Sequence, residues 1–410
     1  MDPLEKALRD ARARTLLLVA DLDGVQLLGP RLDIVNPPLW EMGHVAWFQE
    51  FWTLRAAGGR APLVANSDAL YDSARVAHDT RWDLPLLDRK SALEYLATVL
   101  ERSIAALRLD DGAYFHQLAL FHEDMHDEAF AYTRQTLGYS DPFARPEPPC
   151  MGKLPGDVAV PGGRYRLGAE RGTSFVFDNE KWAHEALIAP FRMARAPITN
   201  SEFAAFVEAG GYRDQRLWSP EGWRWRAGCG AQKPVYWERT DGGWAHRRYD
   251  SLRPLPPDHP VIHVSWYEAE AFCAFAGRRL PTEAEWELAA STPAKRRFPW
   301  GEEEPTETFA NLDGRAGGTV PVAAHAEGDS AYGCRQMIGN VWEWTATGFE
   351  PYPGFEVDPY KEYSQPWFGT HKVLRGGCWA TRARLLRNTY RNFYTPDRRD
   401  IFAGFRTCAR

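Results

Sequence analysis

Near residue 140 the chain changes from one periodicity to another, and that change limits it to an architecture in two parts. In the first part, 1–140, apolar residues recur at helical spacing. Leu4, Ala7, Leu8 and Ala11 fit one amphipathic helix, and Leu93, Leu96, Leu100, Ile104 and Leu107 fit another. Ser91, with Glu94 three residues on, is the expected cap of the latter. Trp40, His44, Trp47 and Phe51 share one face of a helix opened by Asn36-Pro37-Pro38. A further helix is expected from about 112 to 137, stopped by Gly138, which suits the left-handed turn that ends many helices. Four such segments predict a helical bundle.

A proline-rich linker, 141–156, with Pro142, Pro146, Pro148 and Pro149 near its start, separates this part from 157–410. Beyond it the apolar runs are short, and helical patterns are expected only at 201–209, 266–276 and 283–290. The second part therefore reads as one α+β domain with much irregular chain. The whole sequence holds 17 Trp, 34 Gly and 30 Pro, so a fold stapled by aromatic side chains is expected. The six cysteines contain no CxxC pair, which fits a reducing cytoplasm better than a disulfide framework. With 49 basic and 55 acidic residues the formal charge is −6, so nucleic acid, which demands a basic footprint, is not an expected partner. No apolar run approaches the ~20 residues of a membrane span. Leu16-Leu17-Leu18-Val19-Ala20 is too short for a secretory leader core and reads as part of a first helix.

Chemistry enters with Phe121-His122-Glu123-Asp124-Met125-His126-Asp127-Glu128. His122 and His126 stand one helical turn apart on the stripe that carries Leu118, Ala129 and Phe130, so both rings face inward. Among 11 histidines, chance supplies about 0.3 such pairs. His259 and His263 have the same spacing but are interrupted by Pro260. The third imidazole, His44, also lies on an inward stripe, and three inward histidines on two helices are costly unless something binds them. The alternative is a set of satisfied core histidines. Three neutral ligands with no carboxylate among them suit Zn(II) or Fe(II), with nearby carboxylates to accept the ring N–H groups.

Two resemblances follow. Pro260-Val261-Ile262-His263-Val264-Ser265-Trp266, Arg278-Arg279-Leu280-Pro281-Thr282-Glu283-Ala284-Glu285-Trp286-Glu287, Met337-Ile338-Gly339-Asn340-Val341-Trp342-Glu343-Trp344, Arg375-Gly376-Gly377-Cys378-Trp379 and Gly404-Phe405-Arg406 closely resemble the formylglycine-generating-enzyme (C-type-lectin-like) fold. The enzymes that define that fold carry a copper-binding cysteine pair just after the Arg-Gly-Gly motif. Here that stretch, 380–387, has no cysteine, so copper-dependent oxidation of a sulfatase is not expected. Cys378 reads as a packed stand-in for serine. In the first part, Asn36-Pro37-Pro38-Leu39-Trp40-Glu41-Met42-Gly43-His44 and the His122–His126 stretch resemble a metal-binding DinB-like bundle.

A DinB-like bundle followed by such a domain is similar to the ergothioneine and ovothiol sulfoxide synthases and selenoneine synthase. That resemblance implies non-haem Fe(II) on His44, His122 and His126, a substrate cleft between the domains, and O2-dependent coupling of sulfur or selenium to C2 of the imidazole of hercynine. The trimethylammonium of hercynine calls for an aromatic cage, for which Trp379, Tyr390, Phe393 and Tyr394 are candidates. Where relatives using γ-glutamylcysteine read Asn-Trp-Asp, this chain reads Asn392-Phe393-Tyr394. Loss of the carboxylate removes the partner of a donor ammonium. That favours a seleno-sugar donor over cysteine or γ-glutamylcysteine, and hence a selenoneine synthase. Tyr394 is also a candidate proton donor, the position expected for such a tyrosine being held by Phe355. Arg81 is a candidate donor contact, the alternative being an exposed bundle arginine. The other readings are an ergothioneine sulfoxide synthase and, outside catalysis, a binding module with structural zinc.

Overall fold

The computed structural model describes residues 2–56, 59–107, 113–146 and 148–410, which form two compact units, Met1–Pro142 and Phe143–Arg410. Among the described residues no helix is long and apolar enough to cross a membrane.

The first unit is built on α1 (Pro3–Val19), α2 (Pro38–Glu50), α3 (Ser67–Tyr71), α4 (Arg89–Leu107) and α5 (Tyr114–Leu137). The long helices pair as α1 with α5 and α2 with α4. Asp2 caps α1 by accepting the Leu4 N–H at 2.7 Å, with Pro3 in the first turn. The cap of α4 is Asp88 rather than Ser91. The Asp88 carboxylate accepts the Ser91 N–H at 2.7 Å, which leaves Ser91 inside the first turn. An aspartate there satisfies the same orphan donor and adds favourable charge at the helix N-terminus. α5 ends at Gly138 with φ +68°, while its expected start near 112 lies outside the described residues. α2 is buried on almost every side and runs on through a wider π turn, Phe51–Ala56.

The second unit contains two four-stranded sheets. One is ordered Asp157–Val160, Phe191–Ala194, Cys408–Ala409, Arg278–Arg279; the other is ordered Asn392–Tyr394, Lys372–Arg375, Trp342–Gly348, Ala403–Gly404. The helices are α6 (Asn200–Glu208), α7 (Pro220–Gly228), α8 (Trp266–Phe275) and α9 (Glu283–Ser291). Capping boxes at Thr199/Glu202, Ser265/Glu268 and Thr282/Glu285 start three of them. The fourth, α7, was not among the expected helices, because Gly222, Trp223, Trp225 and Gly228 give it no apolar stripe. Its signal is local: Ser219 accepts the Gly222 N–H at 3.3 Å, and Pro220 and Glu221 follow.

Aromatic packing is only part of what holds this unit together. Arg406 forms two bonds to Glu343, at 2.6 and 2.7 Å, and the same carboxylate accepts from the Trp286 indole at 2.8 Å. Arg391 pairs with Glu283 at 2.9 Å, and Glu287 holds both Arg375 and Lys295. All three arginines are almost wholly buried. Glu343, Arg406, Glu287 and Arg375 stand in the motifs that carry the resemblance to the formylglycine-generating-enzyme fold, and these buried pairs give those motifs a structural role.

Candidate active site

Three imidazoles converge in the helical unit. His44 comes from α2 and His122 and His126 from α5, with one ring nitrogen of each within 4.8 Å of the others. Among the described residues this is the sole grouping of its kind. The ring centroids are 4.5 Å apart for His122 and His126, 4.9 Å for His44 and His126, and 5.1 Å for His44 and His122. His44 and His122 are buried and His126 is partly exposed. Burial, then the charge of His126, pushes the His44 ring well below its ordinary protonation range; burial and the other two rings do the same to His122. Both are therefore neutral at physiological pH, as metal binding requires.

The helices fix ring orientation as well as position. His44 Nδ1 lies 2.7 Å from the Tyr71 carbonyl, and His126 Nδ1 lies 2.6 Å from Glu41 Oε1. Neither a carbonyl nor a carboxylate can donate, so Nδ1 of each ring carries a proton, and neutral His44 keeps its lone pair on Nε2. Tyr71 ends α3, which is tied to α2 by two indoles: Trp40 donates to Leu70 O and Trp47 to Asp68, both at 2.7 Å. Trp40 stacks on His44 at 4.8 Å, and Phe48 lies parallel to His122 at 3.5 Å.

The neighbouring carboxylates of α5 do other work. Glu123 binds Arg12 and Thr15, and Asp127 also accepts from Thr15. The acceptor for His126 is Glu41, from the other helix, which reading along α5 could not find. Its signal was a carboxylate three residues before His44, amid the apolar and aromatic residues of α2.

Arg81 is buried, not exposed. Its guanidinium lies 3.8 Å over the Trp40 ring and donates to Asn36 Oδ1 at 2.6 Å. Burial lowers its pKa to about 10, partly offset by the Glu41 carboxylate, so it stays cationic at neutral pH.

In the second unit the candidates separate. Asn392, Phe393 and Tyr394 form one strand, paired with Lys372–Leu374. Alternation puts Asn392 and Tyr394 on one face and Phe393 on the other. Phe393 stacks on Phe349 at 4.0 Å and meets Tyr363 and His371. Tyr390 packs against Phe177 and Trp342, and Trp379 against Phe143 and Phe402. Tyr390 and Phe393 share the neighbour Tyr363, whose hydroxyl lies 3.3 Å from that of Tyr390, whereas Trp379 packs against other rings, and Phe393 belongs to a packed cluster opposite Asn392 and Tyr394. Asn392 accepts the Phe393 N–H at 2.8 Å, which orients its amide. Arg398 lies 5.1 Å over the Tyr394 ring and is paired with Asp400 at 2.6 Å. That arginine and its aspartate were not singled out from sequence. Phe355 packs edge-on to Phe368, and Cys378 is buried with Thr381 Oγ1 at 3.3 Å from its sulfur.

Comparison with known proteins defines the class first. Residues 7–129 match the DinB superfamily, and residues 142–410 match the sulfatase-modifying factor enzyme 1-like domain. The chain is 39% identical to the hercynine oxygenase of Mycolicibacterium smegmatis, across 97% of this chain and 96% of the relative. It is 40% identical to that of Mycolicibacterium thermoresistibile, across 98% and 94%. A formylglycine-generating enzyme from Thermomonospora curvata is 35% identical across 62% of this chain and 93% of its own. The chain belongs to the hercynine oxygenase family.

Proposed function

We propose that the protein is a non-haem Fe(II) enzyme that uses O2 to couple a selenium donor, a seleno-sugar, to C2 of the imidazole of hercynine. The observation that carries the reading is the convergence of His44, His122 and His126, with the Nδ1 of two of its rings held in outer hydrogen bonds, in a chain whose full-length relatives include hercynine oxygenases. The donor set fits the metal: three imidazoles, no thiolate, and acceptors for two of the outer N–H groups. Bound there, Fe(II) supplies the redox chemistry that O2 reduction needs.

The residues of the chain supply orientation and charge. Asn392, its carbonyl occupied by the Phe393 N–H, keeps an amide N–H to donate to substrate. Tyr394, on the same face, offers a phenol where a carboxylate would hold a donor ammonium. Asp400 already neutralises Arg398 above it. A donor without an amino-acid head group suits that matched pair.

The names of the relatives favour a second reading, an ergothioneine sulfoxide synthase that takes a thiol donor to the same hercynine carbon. The test is reconstitution with Fe(II) without oxygen, then O2 and hercynine with a seleno-sugar or γ-glutamylcysteine in parallel, read by product mass. A carbon–selenium adduct from the seleno-sugar alone is expected. Turnover with the thiol alone selects the second reading. Stoichiometric zinc and no product from either donor would leave a binding module.

A further inference from the structure

When three imidazoles converge on one ion, their remaining ring nitrogens point away from it, and what those nitrogens meet tunes each ligand. Here the outer contacts are unequal. His44 gives its Nδ1 proton to a neutral carbonyl at 2.7 Å, and His126 gives its own to Glu41 at 2.6 Å. Glu41 is only 1% exposed, and its second oxygen, Oε2, is buried without a hydrogen-bond partner. A carboxylate kept half-satisfied in the interior is costly to the fold. Thr15 and Arg12 gather Glu123 and Asp127 elsewhere in the bundle. Glu41 is committed to His126, with buried Arg81 close enough to feel its charge.

A carboxylate attracts an N–H proton more strongly than a carbonyl does, because the bond is charge-assisted. The ring it holds gains electron density at the opposite nitrogen. We propose that Glu41 is the positioning residue of this metal centre: it locks His126 with Nε2 toward the ion and makes His126 the most electron-donating of the three ligands. The inference rests on the iron reading above. The higher oxidation state of a bound metal gains most from such a donor, so Glu41 lowers the reduction potential of the site and tightens metal binding.

The test uses the full chain, stripped of metal and titrated with Co(II) as a spectroscopic probe, and separately loaded with iron for a midpoint potential. Glu41→Gln keeps an oxygen to accept the His126 proton and removes only the charge. The expected result is Co(II) affinity weaker by about 10–100-fold, an altered Co(II) ligand-field spectrum and a more positive iron potential. The thermal midpoint of the metal-free variant should be unchanged or raised. Wild-type protein that binds Co(II) beside a variant with the same affinity and potential overturns the proposal alone. Wild-type protein that binds no metal overturns the iron reading and this proposal with it. If Glu41→Gln does not fold, Glu41→Asp keeps the charge and withdraws the oxygen; weaker Co(II) binding is then expected, and unchanged binding overturns the proposal.

Discussion

In the histidine triad, two buried imidazoles are kept neutral; in the second unit, buried arginines are kept charged and matched. His44 and His122 lose their protons to burial and to the neighbouring rings, whereas Arg406 and Arg375 keep theirs because Glu343 and Glu287 lie against them. The difference separates a site from a scaffold. Imidazoles whose ring nitrogens come within 4.8 Å of one another are an arrangement completed by a cation from outside. A buried arginine already joined to a carboxylate is complete, and removing either partner leaves an uncompensated charge.

The largest expected effect tests the scaffold half of that contrast. Glu343→Gln strands the Arg406 guanidinium, which is wholly buried, and should cost about 3–5 kcal/mol in urea unfolding. His122→Ala should instead abolish Co(II) binding while the metal-free chain keeps its fold. If Glu343→Gln costs less than about 1 kcal/mol, the buried pairs are not what holds the second unit and the contrast fails.

Acid sharpens the comparison with a smaller effect. In the second unit burial lowers His259 to about 4 and His263 to about 3, and it also lowers His246, beside Arg248, to about 4. The unfolded chain takes up a proton on each near pH 6.5, and the folded chain does so only near those lower values. Stability is therefore full above pH 6.5 and falls as pH drops toward 4, by up to about 1.4 kcal/mol per pH unit for each histidine. His259→Gln should flatten the profile by one such contribution, measured as the denaturant midpoint between pH 7.5 and about 5. Saturating Co(II) should steepen the acid loss through His44 and His122, because protons then compete with the ion. It should leave the His259 contribution untouched.

The same contrast explains what was legible in the sequence. The bundle could be read because helical spacing repeats over many residues: His44 on its apolar stripe and the His122–His126 pair are both visible as pattern. The second unit gave itself up through resemblance, since its strands are short and its motifs hold no period. What stayed hidden depended on contacts distant in sequence. Glu41 meets a ring 85 positions away, and Arg406 a carboxylate 63 positions away. Arg81 could be read as a donor contact or as an exposed bundle arginine because nothing in Asp79-Thr80-Arg81-Trp82-Asp83 reveals that Trp40 covers it. The separation of Phe393 from Asn392 and Tyr394 needed only the knowledge that the three form a strand, but three residues are too few to declare one.

The smallest effect probes how closely the neutral site is built. Gly43 precedes His44 in the middle of α2, where glycine costs about 1 kcal/mol of helix stability relative to alanine. The reason for accepting that cost is Tyr71: a Cβ on Gly43 would lie 2.2 Å from the tyrosine ring, which is itself wholly buried. The Tyr71 carbonyl is what orients His44. Gly43→Ala must therefore push Tyr71 aside, and the strain, about 1–3 kcal/mol, roughly offsets the gain in helix propensity. Overall stability should change little, while the carbonyl moves and Co(II) affinity falls by a few-fold to about tenfold, the low end for disturbing an outer contact of a metal ligand. Adding Tyr71→Leu, which clears the clash but leaves the backbone carbonyl in place, should restore most of the affinity. Full affinity in Gly43→Ala alone would mean that the carbonyl does not hold His44, and that the neutral contact matters less than the charged one at Glu41.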